Sequence, residues 1–350
     1  MSFCLGGLMS TPLASAMATD TSLFTTQVNE GKYQNAQAMP ANASAWGILW
    51  RYVSEKRVDA EPSKGIPVMP LNASRLAALP AEQSSVIRFG HSSVYMHVAG
   101  QRWLIDPVFS QRTSPFSFIG PKRFHQPPME LSDLDNIDGV LISHDHYDHL
   151  DKYSIKLLKD KVQHFVVPEG VDQHLLDWGV DAKKITSLRW WQSASFGELT
   201  VTATPTQHFS GRGLCDGNQT LWASYVIDAQ EQRIFFSGDS GYFDGFKQIG
   251  ERYGPFDLTM METGAYDKDW SAVHMTPEQT LQAHLDLKGK ALMPVHNSTF
   301  DLAFHSWYEP LERISHLSEL AQVQLVTPKI GEVFTVGQTQ ETETWWRDLK

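Results

Sequence analysis

Between positions 144 and 149 the chain reads His144-Asp145-His146-Tyr147-Asp148-His149. Imidazole nitrogens suit zinc and its neighbours among the divalent metals, and Asp adds a hard oxygen donor. The run Gly139-Val140-Leu141-Ile142-Ser143 just before it has the apolar character of a buried strand. Alternation in an extended chain sends His144 and His146 to one side. The following turn brings Asp148 and His149 around a second point. Four donors, His144, His146, Asp148 and His149, cannot complete two metal sites, so further ligands must come from distant segments. The bland alternative is a polar surface loop that happens to carry three histidines.

The missing donors should sit where His144 sits, at strand ends. His208 follows the strand-like Thr200 to Thr206, Asp239 follows Ile234-Phe235-Phe236, and His296 follows Leu292 to Val295. A solitary strand-end His or Asp is more often a surface or hydrogen-bonded residue. Three of them in order after the first motif point to a two-metal arrangement. Two close cations lower the pKa of a bound water and neutralise an anionic oxygen in the transition state. Hydroxide is then available near neutral pH, and no serine or cysteine nucleophile is needed.

These residues need a framework of strands and helices. Val86 to Phe89, the alternating Val94, Met96 and Val98, and Arg102 to Ile105 read as short strands before the motif. Beyond it, Lys152 to Lys159 is helix-like, Phe165 to Val167 is a strand, and Thr200 to Thr204, Ala223 to Ile227 and Arg233 to Phe236 are strands. Tyr242 to Tyr253 reads as a helix and Leu258 to Met261 as a strand. Thr276-Pro277-Glu278-Gln279 is a helix start, with a Thr N-cap, Pro at the first position and Gln three residues on. Ala291 to Val295 is a strand, followed by a helix near Leu311 to Ala321 and two final strands. Such an order implies sheets packed together with helices outside.

Composition bounds the rest. Two cysteines, Cys4 and Cys215, leave no disulfide framework and no cysteine-rich zinc site, so any metal must be held by imidazole and carboxylate. The net charge of −11 excludes broad attraction to nucleic acid or to anionic membranes, while leaving room for a local basic patch. Residues 1–18 read either as a disordered tail or as the remnant of a signal segment, because Ala14-Ser15-Ala16 resembles a cleavage site but no basic n-region precedes it. The compartment is therefore open between cytoplasm and periplasm. Residues 19–83 read as a proline-punctuated extension, and 84–350 as the regular domain that carries the candidate metal ligands.

The order His-x-His-x-Asp-His, then His, Asp and His, resembles the metallo-β-lactamase fold hydrolases over about residues 84 to 335. The resemblance implies an α+β fold, a four-layer αββα sandwich with two metals between the sheet edges. It assigns His144, His146 and His208 to the first metal, Asp148, His149 and His296 to the second, and Asp239 to the bridge. Two Zn2+ are implied, with iron or manganese as alternatives. A narrower resemblance is carried by Trp190-Trp191-Gln192, Thr206-Gln207-His208-Phe209-Ser210, Ser237-Gly238-Asp239-Ser240-Gly241-Tyr242, Gly254 to Leu258, Gly264-Ala265-Tyr266 and Val273-His274-Met275-Thr276-Pro277-Glu278. These look like the N-acyl-phosphatidylethanolamine-hydrolysing phospholipase D branch. His296-Asn297-Ser298-Thr299-Phe300 departs from the His-Trp-Gly-Thr-Phe of the animal enzyme, and Phe209 replaces a Trp beside the third ligand; both changes fall near the substrate.

The resemblance implies a phosphodiesterase that attacks phosphorus through a metal-bound hydroxide and releases an alcohol. Asp148 would orient the nucleophile while binding metal. His274 would hydrogen-bond a phosphoryl oxygen or protonate the leaving group, unless it serves only the helix start. Asp106 either orients a ligand His or closes a turn, and Glu262 is a candidate for the layer behind the ligands. His91 lies near the site or has a structural role. Trp190 and Trp191 read as core, and Tyr266 and Trp270 as core or an apolar entrance. The expected partner is a phospholipid or another small-molecule substrate, with no nucleic acid; peripheral membrane contact and a homo-oligomer remain open. The competing readings are a lactone, thioester or small-ester hydrolase on the same fold, and a non-catalytic metal-binding regulatory protein. A flavodiiron-type oxidoreductase is disfavoured by His146, which stands where such proteins usually carry Glu.

Overall fold

Alternation along the early strands decides which side chains meet. In Ser93–Val98, Val94, Met96 and Val98 face one way and Tyr95 the other; in Ser85–Gly90, Val86 opposes Ile87 and Phe89. Both faces are apolar, so each strand must be covered on both sides. The computed structural model meets that requirement with two seven-stranded sheets, and it describes residues 23–39, 45–229, 231–340 and 343–350. The tail-or-signal reading of residues 1–18 lies outside the described residues.

The first sheet runs in the order Val333–Thr335, Ser85–Gly90, Ser93–Val98, Gln101–Ile105, Ile137–Leu141, Val162–Pro168 and Ile185–Leu188. The second runs Gln324–Leu325, Gly289–Val295, Phe256–Glu262, Gln232–Phe236, Ser224–Ala229, Leu199–Thr204 and Ser193–Phe196. Each has antiparallel pairing at one end and parallel pairing at the other. Val86, Met96, Trp103, Ile227, Phe236 and Met260 belong to the core between the sheets. Helices Lys152–Leu158 and Val171–Asp177 cover the first sheet, and Gly245–Tyr253, Pro277–Asp286 and Glu309–Leu320 cover the second. This is the expected αββα sandwich. Among the described residues, no helix is long and apolar enough to cross a membrane.

Local chemistry explains several details. Thr276 accepts from the Gln279 backbone N–H while the Gln279 side chain accepts from Thr276, so the expected capping box is present. The helix expected from Tyr242 begins instead at Gly245. Gly241 N–H donates to the Gln207 carbonyl, which ties this stretch to the turn carrying His208 before a helix can start. The extension is less irregular than its prolines suggest: it contributes the hairpin Gln27–Asn29 and Lys32–Gln34, and the helices Ala45–Ser54 and Ala73–Ala77. Tyr33 of that hairpin enters the inter-sheet core, and its hydroxyl donates to Glu169 at 2.7 Å.

One close approach sits beneath the site. Gly139 pairs with Trp103 across neighbouring parallel strands, and a Cβ at Gly139 would overlap the fully buried indole. Overpacking of this kind costs roughly 1–3 kcal/mol. The Gly139→Ala variant should therefore unfold at a lower urea midpoint with an unchanged slope; an unchanged midpoint would mean that the indole can move aside freely.

Candidate metal centre

The two sheets place their strand ends along a common edge, and the turns beyond those ends carry the polar residues. His91 follows Ser85–Gly90, Asp106 follows Gln101–Ile105, His144 follows Ile137–Leu141, His208 follows Leu199–Thr204, Asp239 follows Gln232–Phe236 and His296 follows Gly289–Val295. Several turns are sharp. His91, Asp106 and His296 adopt positive φ of 53°, 40° and 62°, conformations that non-glycine residues seldom hold outside over-determined sites. Gly238, at φ 56°, lets the Asp239 turn pass so close that a Cβ there would lie 2.9 Å from the Ala223 carbonyl and from Ser143 Cβ.

All seven expected donors come together. His144, His146 and His208 form one group, and Asp148, His149 and His296 belong to a second. His146 Nδ1 lies 2.9 Å from His144 Nε2 and 3.2 Å from His208 Nε2. Asp239 faces both groups: Oδ2 is 3.1 Å from His149 Nε2 and 3.8 Å from both His144 Nε2 and His208 Nε2, while Oδ1 is 3.0 Å from His296 Nδ1. His149 Nε2 is also 3.5 Å from Asp148. Nitrogens bound at about 2.05 Å to one tetrahedral ion stand about 3.3 Å apart, so the spacing of the first group suits such an ion.

Proton placement supports the same conclusion. His208 Nδ1 lies 3.0 Å from the Val273 carbonyl, which can only accept, so Nε2 carries a lone pair. Burial opposes charge on His149, yet Asp239, Asp148 and Asp106, the last at 2.7 Å from Nδ1, outweigh it and hold the imidazole well above its ordinary pKa, so a metal ion would take the place of its Nε2 proton. His149 Nε2, His296 Nε2 and Asp239 Oδ1 are buried and none makes a well-directed hydrogen bond, although His149 Nε2 faces Asp239 Oδ2 at 3.1 Å and Asp239 Oδ1 faces His296 Nδ1 at 3.0 Å. Leaving such atoms unpaired is costly, and a divalent cation would satisfy them. Burial, reinforced by neighbouring imidazoles, pushes His144 well below its ordinary pKa, so that ring is neutral, as a ligand must be. Burial opposes the charge on Asp148, yet His149 and His91 outweigh it and hold the carboxyl well below the usual range. The chemistry of the donor set therefore fits metal binding.

The surrounding residues separate into those that support the donors and those that do not. Asp106 orients His149 and also accepts from Ser143 N–H at 2.8 Å, so the supporting role holds rather than the turn role alone. His91 Nε2 is 2.9 Å from Asp148 Oδ2 and its ring centroid is 4.0 Å from that of His296; it joins the second group of donors. Glu262, fully buried, accepts from Ser240 N–H at 2.5 Å and meets His274 Nδ1 at 2.6 Å. Thr276 caps the helix by itself, so His274 is free of that duty and lies among His208, Asp239 and His296. Burial works against charge on His274, but the Glu262 carboxylate outweighs it and lifts the imidazole to about 9. Trp190 is buried in the inter-sheet core and Trp191 packs against it. Tyr266 is buried and bonded to Glu309, and Trp270 donates to the Ala265 carbonyl, which favours the packing role for both. Phe209 stands half-open beside His146, with ring centroids 4.6 Å apart.

Asn35 escaped the sequence reading altogether. Its Nδ2 donates to the His208 carbonyl at 2.7 Å, and its Oδ1 accepts from His208 N–H at 3.0 Å and from Trp222 Nε1 at 3.1 Å. The hairpin end thus clamps the backbone of a donor from behind. Loss of an outer partner typically weakens metal affinity or activity 10- to 100-fold. We expect Asn35→Ala to weaken zinc affinity by roughly tenfold in a competition titration; unchanged affinity would reduce Asn35 to a packing residue.

Comparison with known proteins agrees with this geometry. A model of the beta-lactamase superfamily domain matches residues 101–297. An uncharacterized protein of Mycobacterium tuberculosis is 42% identical over 304 residues, covering 86% of this chain and 80% of that protein. N-acyl-phosphatidylethanolamine-hydrolyzing phospholipase D 1 of Caenorhabditis elegans is 30% identical over 352 residues, covering 93% of this chain and 99% of that protein. Among solved structures, a metallo hydrolase of the archaeon Ignicoccus hospitalis aligns with a TM-score of 0.55 at 22% identity, covering 73% of this chain and 99% of its own.

Proposed function

We infer the reaction from one premise: the chain belongs to the beta-lactamase superfamily, with the N-acyl-phosphatidylethanolamine-hydrolysing phospholipases D among its homologues. It is a metallo-hydrolase of that fold. We propose further that it holds two zinc ions and acts as a phosphodiesterase of phospholipase D type on N-acylphosphatidylethanolamine or a related phospholipid. The observation that carries this reading is the convergence of two donor groups on one bridging carboxylate, with His274 lying beside them.

His144, His146 and His208 would hold one ion, Asp148, His149 and His296 the other, and Asp239 would contact both. When bound, the ions supply Lewis acidity and activate water near neutral pH. The remaining work falls to the chain. Asp148, held by His91 at 2.9 Å, can orient the attacking water with its carboxylate. His274, oriented by Glu262, presents its other nitrogen to the site and can pass a proton to the departing alkoxide. Phe209, half-exposed beside His146, gives the substrate an apolar contact at the mouth.

A lipid panel in H218O tests the reading. N-acylphosphatidylethanolamine should yield phosphatidic acid and N-acylethanolamine, with the heavy oxygen in the phosphatidic acid. Opening of a lactone or thioester without phosphatidic acid would assign the chain to ester chemistry on the same fold.

A further inference from the structure

A cavity of about 920 Å3 opens beside the His144–His149 segment. None of the seven clustered donors lines it, but Tyr147 does, and the Tyr147 hydroxyl donates to the Arg212 carbonyl at 3.0 Å. One face of the motif thus serves the metal centre while Tyr147 serves this cavity.

Its charge runs against that of the molecule. The chain carries a net −11, yet Arg112, Lys152, Lys156 and Arg212 all line the cavity, against Glu130 and Asp151. Asp151 is already committed: it accepts from Ser110 N–H and Oγ–H, from Tyr153 N–H and from Ser154 Oγ–H. Arg212 is fixed in advance. Its guanidinium lies 4.0 Å over the Tyr147 ring and 5.3 Å over the Trp178 ring, and Nη1 donates to the Asp145 and Leu150 carbonyls. A guanidinium held this way meets an anion with little loss of side-chain freedom. Lys152 and Lys156 stand one helical turn apart on the adjoining helix.

We propose that this cavity is a binding site for a phosphate-bearing anion, separate from the metal centre. The phosphate can belong to a free glycerol phosphate or to a lipid head group. Phe116, Phe118, Ile119 and Leu214, in the loops that supply the cavity wall, are exposed apolar side chains of the kind that a lipid surface would cover. A ligand there would press on Tyr147, between His146 and Asp148.

The test uses metal-loaded protein and two probes: sn-glycerol 3-phosphate by calorimetry, and phosphatidylglycerol–phosphatidylcholine vesicles by sedimentation, with pure phosphatidylcholine as the neutral control. The Lys152→Glu/Lys156→Glu double variant and, separately, Arg112→Gln should each keep the wild-type melting temperature and the wild-type turnover of bis(p-nitrophenyl) phosphate. Turnover monitors the metal centre, so failure of this site and failure of the hydrolase reading are distinguishable. At least about a tenfold loss of affinity in the double variant is expected, together with a smaller loss in Arg112→Gln. Loss with the soluble probe identifies a free-phosphate site, and loss with the anionic vesicles alone identifies a lipid head-group site; either supports the proposal. Absence of binding by both probes, or equal affinity of variant and wild type, overturns it.

Discussion

His146→Ala should reduce phosphodiester turnover by about a thousandfold and lower the metal content of the purified protein. His146 Nδ1 stands between His144 Nε2 and His208 Nε2, at 2.9 and 3.2 Å, so its removal opens the first donor group at its middle. Lewis-acid stabilisation by a bound metal is worth several kcal/mol. Loss of about 4 kcal/mol corresponds to roughly three decades in rate. The substitution should be tolerated by the fold, because His146 is partly exposed and its neighbours Asp145 and His149 keep their own partners in Gly211, Thr220 and Asp106. Near-normal turnover in a variant with reduced metal content would show that the reaction does not use this centre.

His274→Ala is the second large effect, and its dependence on the leaving group distinguishes chemistry from structure. A positioned general acid contributes roughly 10²- to 10⁴-fold. An alkyl alcohol such as N-acylethanolamine leaves poorly without a proton, so turnover of the lipid should fall by at least about a hundredfold. A p-nitrophenolate leaves readily unprotonated, so turnover of bis(p-nitrophenyl) phosphate should fall by less than about tenfold. Glu262→Gln should show the same selectivity in weaker form, because it removes the carboxylate that holds His274 Nδ1 at 2.6 Å. Equal losses on both substrates would make His274 a structural residue that keeps His208 and His296 in place.

The donors were legible in the sequence because His144, His208, Asp239 and His296 each follow a short strand-like run, apolar before His144, Asp239 and His296 and threonine-rich before His208. His208, Asp239 and His296 repeat the position of His144 relative to such a run, and the sandwich aligns those strand ends. The alternation in Ser93–Val98 likewise revealed a strand with two different faces. Asn35 was invisible for the opposite reason. It follows a hairpin whose strands are three residues long and largely exposed, so no periodicity marks them. The nearness of His91 to Asp148 depends on a positive-φ turn after Ser85–Gly90, which composition does not reveal. Asp106 and His274 were ambiguous between local and long-range partners. Only the packing of Ile137–Leu141 beside Gln101–Ile105, and of Glu262 against His274, decides between them.

Hydrolysis at the proposed centre requires two ions. The most direct measurement is a titration of metal-stripped protein with Zn2+, following bound metal and phosphodiester turnover in the same samples. Turnover should rise with added zinc and reach its plateau at two ions per chain. Full turnover without metal, or a plateau at a single ion, would contradict it.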